Sequence, residues 1–278
     1  INLIYLLTYK TIYLRKPLKI IFFLLIVNTA KAQNLTHDIG FFAGISTIQT
    51  DYGQRAESLS SYGNSALSLS LVHYLHFFNK STRWNADEGL ANHLMIKSVL
   101  NIITKEELEH HGKYIIGNTD LARQLRAMKG TISIFNLGVN AEYYFKDLKE
   151  FMFPYSEVKW NPYLSIGLRY SSYKNTLTSD LGDWTTDITV LPAKYRPAGN
   201  LNVGNGSTFS LVLGGGTRYK LSENFDLAAN VNMQYFFSDA VDGLQANVLE
   251  NKNNEWLINF QVGLIYHVNF SGGIFCKK

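Results

Sequence analysis

Toward the C-terminal end, two stretches place apolar side chains on every second position. In 225–237 one face reads Phe225, Leu227, Ala229, Val231, Met233, Tyr235 and Phe237, while the other carries Asn230, Asn232 and Gln234. In 256–270, Trp256, Ile258, Phe260, Val262, Leu264, Tyr266, Val268 and Phe270 stand against Asn259, Gln261, Gly263 and His267. A period of two is the period of a β-strand, whose successive side chains point to opposite faces. The same template predicts strands at 207–220, 161–173, 131–146, 92–103, 64–78 and 37–48. That makes eight, with ten as the alternative count.

Aromatic rings gather toward the strand ends and aliphatic side chains toward the middles. Such sorting has no purpose in a soluble sandwich, but rings prefer the two interfaces that bound a hydrocarbon slab. Tyr143, Phe145, Tyr219, Phe225, Tyr235, Phe237, Trp256, Tyr266 and Phe270 are therefore the expected aromatic girdle. A row of Asn and Gln is a poor apolar core but a good lining for a narrow hydrogen-bonded lumen. The expected fold is all-β: a single antiparallel transmembrane up-and-down β-barrel of about eight strands with long outer loops. The alternative is a soluble lipocalin-like barrel, because period alone does not say which face turns inward.

The connections alternate in length. Segments 49–63, 104–130, 174–206 and 240–255 read as outer loops, and 79–91, 147–160 and 221–224 as periplasmic turns. Thr104-Lys105-Glu106-Glu107 has the pattern of a capping box, which predicts a short helix running through Leu108.

The N-terminal segment is different in kind. Lys10 to Lys19 is basic, Ile20 to Val27 is apolar, and Ala30-Lys31-Ala32 is a small-x-small cleavage site, the three parts of a secretory signal peptide. The domain reading is thus a signal peptide at 1–32, a barrel at 33–270 and a short tail at 271–278. No Met precedes Met95, so 1–15 read as a mis-called start or a fragment edge. Of the 26 basic residues in the chain, five lie in 1–32, which leaves 21 against 22 acidic residues. Nothing in that balance argues for a nucleic-acid partner. One cysteine, Cys276, excludes an internal disulfide or a Cys-ligated zinc site; a closed barrel stabilises an exported chain without either.

Several strings are distinctive: Thr50-Asp51-Tyr52-Gly53-Gln54-Arg55, His73-Tyr74-Leu75, Ser179-Asp180-Leu181-Gly182-Asp183-Trp184, Gly216 to Leu221, and Tyr235 to Asp239 followed by Val241-Asp242-Gly243-Leu244. In these the chain resembles, over most of 37–270, a family of small outer-membrane barrels from the Bacteroidetes, some of whose members carry a misleading "glutamate dehydrogenase" label. What the resemblance implies is a barrel, with no active site to carry over. Such proteins usually stop at the terminal aromatic of the last strand, here Phe270, so the tail from Ser271 to Lys278 is a departure.

Candidate chemistry is sparse. Gly214-Gly215-Gly216 continues as strand, lacking the following helix that a dinucleotide fold needs. His110 and His111, beside Glu106, Glu107 and Glu109, have ligand chemistry, but neighbours on a helix diverge by about 100°, so a solvated loop helix is the preferred reading. Asp180, Asp183, Asp187, Asp239 and Asp242 could hold divalent cations or simply build turns. Ser179 and the histidines lack the spacing of a catalytic set. Strand parity points Glu142, Arg169 and Arg218 inward, where they should pair and close the pore. No catalytic, metal or cofactor site is expected, and the partners foreseen are the lipid bilayer, lipopolysaccharide and an envelope protein. The leading expectation is a non-enzymatic scaffold or accessory subunit for secretion, adhesion or barrel assembly. A small pore or ligand-binding barrel comes next, and a lipid-modifying enzyme third.

Overall fold

The computed structural model describes residues 36–52, 63–77, 89–153, 155–246 and 254–268. The signal-peptide segment, Phe270 and the C-terminal tail lie outside the described residues. Eight strands, β1 (Thr36–Gln49), β2 (Ser65–His76), β3 (Leu94–Glu109), β4 (Met128–Tyr144), β5 (Trp160–Ser179), β6 (Gly204–Lys220), β7 (Phe225–Phe236) and β8 (Trp256–Val268), pair in sequence order. Every neighbour is antiparallel, and β1 meets β8 with His37 opposite Val268, closing the barrel. Closure leaves no edge, so the ladders satisfy the wall's backbone groups from within.

The faces are sorted as the alternation foretold. Phe41, Ile45, Leu71, Leu137, Leu168, Leu213, Val231 and Leu264 all stand exposed on the outer surface, whereas Ser68, Asn101, Asn136, Ser171, Gln234 and Gln261 are buried inside. A soluble barrel has the opposite polarity, so the lipocalin-like reading fails and the wall is one that faces hydrocarbon. Tyr143, Phe145, Tyr219, Phe225, Tyr235, Phe237 and Tyr266 point outward near strand ends, and Trp256 is half-buried there. Trp160, opposite Tyr219, joins them.

One end holds His76, Leu94, Tyr144, Trp160, Lys220 and Phe225 together with Thr36 and Val268; the other holds Gln49, Ser65, Glu109, Met128, Ser179, Gly204, Phe236 and Trp256. We call these the turn end and the loop end.

The helix expected from Thr104 through Leu108 is not formed. β3 runs on to Glu109, with a bulge between Lys105 and Leu108 and continued pairing of Leu108 with Gly130 and Glu109 with Lys129. Lys129 Nζ sits 2.9 Å from Glu107 and 3.8 Å from Glu109, so the cross-strand ladder offers these acids more than a local cap would. The loop helix comes later, as α1 (Asp120–Ala127), where Thr119 Oγ1 accepts from Ala122 N at 3.2 Å. A second short helix, α2 (Leu148–Met152), explains the long turn-end link: the Asp147 carboxylate accepts from Lys149 N and Glu150 N and starts it.

Candidate functional site in the barrel lumen

The interior is filled at three levels. At the turn end, five strands send charged groups to one point. Asp38 of β1 lies 2.6 Å from His76 Nε2 of β2 and 2.9 Å from His267 Nδ1 of β8. Arg218 of β6 reaches Asp38 at 3.3 Å and Asp226 of β7 at 3.7 Å, and His267 Nε2 stands 3.2 Å from Asp226. The guanidinium lies over the Tyr74 ring at 4.1 Å, so its face is covered as well as its edge. Beside this network Lys97 pairs with Glu142 at 3.0 Å, and Tyr144 donates to the other Glu142 oxygen at 2.7 Å. Buried Leu148 and Phe151 of α2 close the floor.

The middle level is a continuous belt of neutral side chains, to which Arg169 is bonded through Gln234. Gln261 donates to Ser70 at 2.8 Å; Asn101 donates to Ser68 and Ser70, both at 2.9 Å; Asn136 donates to Asn101 at 2.9 Å. Ser171 donates to Asn136 at 2.6 Å, and Gln234 donates to Ser210 at 2.8 Å and to Asn136 at 3.0 Å. This belt draws side chains from every strand except β1. Buried amides left unpartnered would be costly, and here most are used.

At the loop end the plug is largely apolar. Tyr52, Ile103, Leu108, Met128, Ile134, Tyr195, Phe236, Val241, Leu244 and Leu257 form one buried cluster. Asn175 ties the loops down: its Nδ2 donates to the carbonyls of Ala240 and Val241 at 3.0 and 3.2 Å, and its Oδ1 accepts from Gly204 N at 2.8 Å. Asn202 N donates to Gly243 O, and Gln245 N to Asn200 O, each at 2.9 Å. Gly243 holds φ +87°, a conformation that suits glycine.

Within that plug lie three carboxylates, Asp51, Asp242 and Glu255, all buried. Asp242 accepts from Asp51 N at 2.7 Å and from Leu244 N at 2.8 Å. Burial, and then the charge of Asp51, push its carboxyl up to about 8. Burial and then Asp242 raise Glu255 well above the ordinary carboxylate range. The Tyr52 and Tyr195 hydroxyls have no partner among the described residues, and burial raises both phenols.

The sequence-derived candidates are thus dispersed. Glu142, Arg169 and Arg218 do face inward, but they do not pair with one another. Glu142 takes Lys97 and Arg218 takes Asp38 and Asp226, because register brings those groups to the same height. Arg169 donates from Nη1 to the neutral Gln234 Oε1 at 3.0 Å. His110 does not lie on a solvated helix: it is buried against the Tyr52 ring at 5.1 Å, and burial, then Lys194 and His111, lower it to about 3. Asp183 and Asp187 accept from the backbone and hydroxyl of Thr185 and Thr189 as turn builders, bonds that lower both carboxyls. Asp180 lies 3.6 Å from Lys129. Among the described residues no three His, Cys, Asp or Glu side chains form a group able to hold a metal ion.

Comparison with protein-family models and with curated protein sequences gives no match. Solved structures similar in chain path include a major outer membrane protein from Thermus thermophilus, at 14% identity and TM-score 0.45 over 84% of this chain and 99% of that one. Neisserial surface protein A is similar at 11% identity and TM-score 0.43, covering 84% and 97%. Ail of Yersinia pestis, solved with the heparin analogue sucrose octasulfate, is similar at 13% and 0.40, also covering 84% and 97%.

Proposed function

We propose that the chain is a non-conducting, non-enzymatic barrel of the bacterial outer membrane that anchors a folded loop end and presents it to a partner in the envelope. The observation that carries this reading is the filled lumen: an ion network over α2, a hydrogen-bonded belt, and an apolar plug lie one above another. An eight-stranded wall encloses only enough room for side chains, and here they use it. The loops that cover the plug are pinned by Asn175, Asn200 and Asn202, which favours a rigid presented surface over a mobile gate. That surface bears Tyr114, Ile116 and Leu121, which are exposed beyond the ends of β3 and β4. Exposed apolar groups outside the bilayer zone are of the kind that partners cover. The apolar wall supports contact with the bilayer, and the loop end would stand among lipopolysaccharide headgroups.

The purified protein in planar bilayers should give no steady channels; sustained open conductance would overturn the reading and favour a small pore. Affinity purification from native membrane in mild detergent should recover a stoichiometric envelope partner. Recovery of the barrel alone would remove the scaffold role while leaving the closed lumen intact.

A further inference from the structure

Among the described residues, the buried lumen cations Arg218 and Lys97 can each be matched to a counter-charge. Arg218 has Asp38 and Asp226, and Lys97 has Glu142. Arg169 has none there. It is 4% exposed, and no other charged group acts on it. Its guanidinium has five N–H donors. One reaches the Gln234 carbonyl oxygen at 3.0 Å, and Nε has no partner among the described residues. Only the carbonyl oxygen of Gln234 can serve a guanidinium, and the amide is held in that orientation because its nitrogen lies against Ser210, Asn136 and Ser171 at 2.8, 3.0 and 3.2 Å. The position is nonetheless built for this side chain. Across the ladder stands Gly138, where a Cβ would collide with the Arg169 stem and the Leu168 carbonyl. A guanidinium cannot readily shed its charge, and an isolated charge in a low-dielectric interior is strongly unfavourable.

We propose that the lumen binds a small monovalent inorganic anion of the halide class at Arg169, held by the donors that Gln234 leaves free. Charge sets the valence: one unmatched cation calls for one negative charge. Size follows from the surroundings. The bonded belt of Ser171, Ser210 and Gln234 lies against the site, so a polyatomic ligand would have to break a bonded layer. A halide also loses its water at less cost than sulfate or phosphate. The bound ion makes the middle of the barrel neutral, and the site is independent of whether the loop end has a partner.

The test is the thermal unfolding of the intact barrel in neutral detergent, titrated with potassium bromide against potassium gluconate at constant ionic strength. Saturable stabilisation is expected, with Tm rising roughly 5–8 °C at a hundredfold excess over the dissociation constant. Arg169→Met, which keeps the apolar stem and removes the charge, should abolish that response. A wild-type barrel indifferent to bromide, or a variant that responds equally, overturns the site. Should the variant not fold, crystals of the wild type grown in bromide decide the matter: anomalous density beside Arg169 Nε supports the site, and its absence there overturns it.

Discussion

The two ends of the lumen bury carboxylates in opposite ways. At the turn end Asp38 and Asp226 face opposite charge, with Arg218 between them, His76 and His267 on Asp38, and His267 also 3.2 Å from Asp226. At the loop end Asp242 and Glu255 lie near Asp51, and no cation among the described residues acts on either of the two. Their raised carboxyls make the proton the neutralising partner. A cation fixed on a strand is insensitive to the medium, whereas a proton is exchanged with it. The same wall thus carries one end held together by a guanidinium that keeps its charge and one whose packing is tied to the pH of the medium.

The sharpest way to break this contrast is to remove the turn-end cation. Arg218→Met leaves two buried carboxylates with too little positive charge and should cost about 3–5 kcal/mol in urea unfolding. A loss below about 1 kcal/mol would mean that His76 and His267 suffice, and the fixed-charge account of that end would fall. The next effect belongs to the loop end. Asp242 keeps its proton up to about 8 when the cap is closed but releases it near about 4 when exposed, so the closed cap binds the extra proton and rising pH across that window favours opening. Hydrogen exchange at the Gln245 amide, corrected for its intrinsic rate, should lose roughly tenfold or more protection between about pH 6 and about pH 9. Asp242→Asn should flatten that profile; an equally steep profile in the variant would assign the pH dependence to other groups. The smallest effect concerns the floor. Asp147→Ala removes the cap of α2 and its bond to Asn92 at 2.8 Å, and should cost about 1 kcal/mol with no change in the pH profile at Gln245.

Much of the wall was legible because alternation reports the same thing everywhere on a barrel. Phe225 to Phe237 and Trp256 to Val268 needed only their parity. Strand ends were less legible. β3 and β5 continue past their apolar stretches, to Glu109 and Ser179, held by ladder partners that a local pattern does not show. In the lumen, parity placed Glu142, Arg169 and Arg218 inside, but partner choice depends on register between strands far apart in sequence. Lys97 follows the outward Ile96 and could have been placed inside by the same rule. The loop-end carboxylates had no such signal. Asp51, Asp242 and Glu255 fall in aperiodic segments, and Asp-Gly at 242–243 reads equally well as an ordinary turn.

The pairing of β1 with β8 has a consequence for how the chain folds. All other ladders join neighbours in sequence, but this one joins the first strand to the last, His37 with Val268. Loop-closure entropy makes such a contact slow to form. Until β8 arrives, β1 presents an open row of backbone donors and acceptors, the sort of edge on which other chains can pair. The wall that ends with no edge must therefore pass through a state with two, and the interval before its last strand docks is when the protein is most exposed to aggregation.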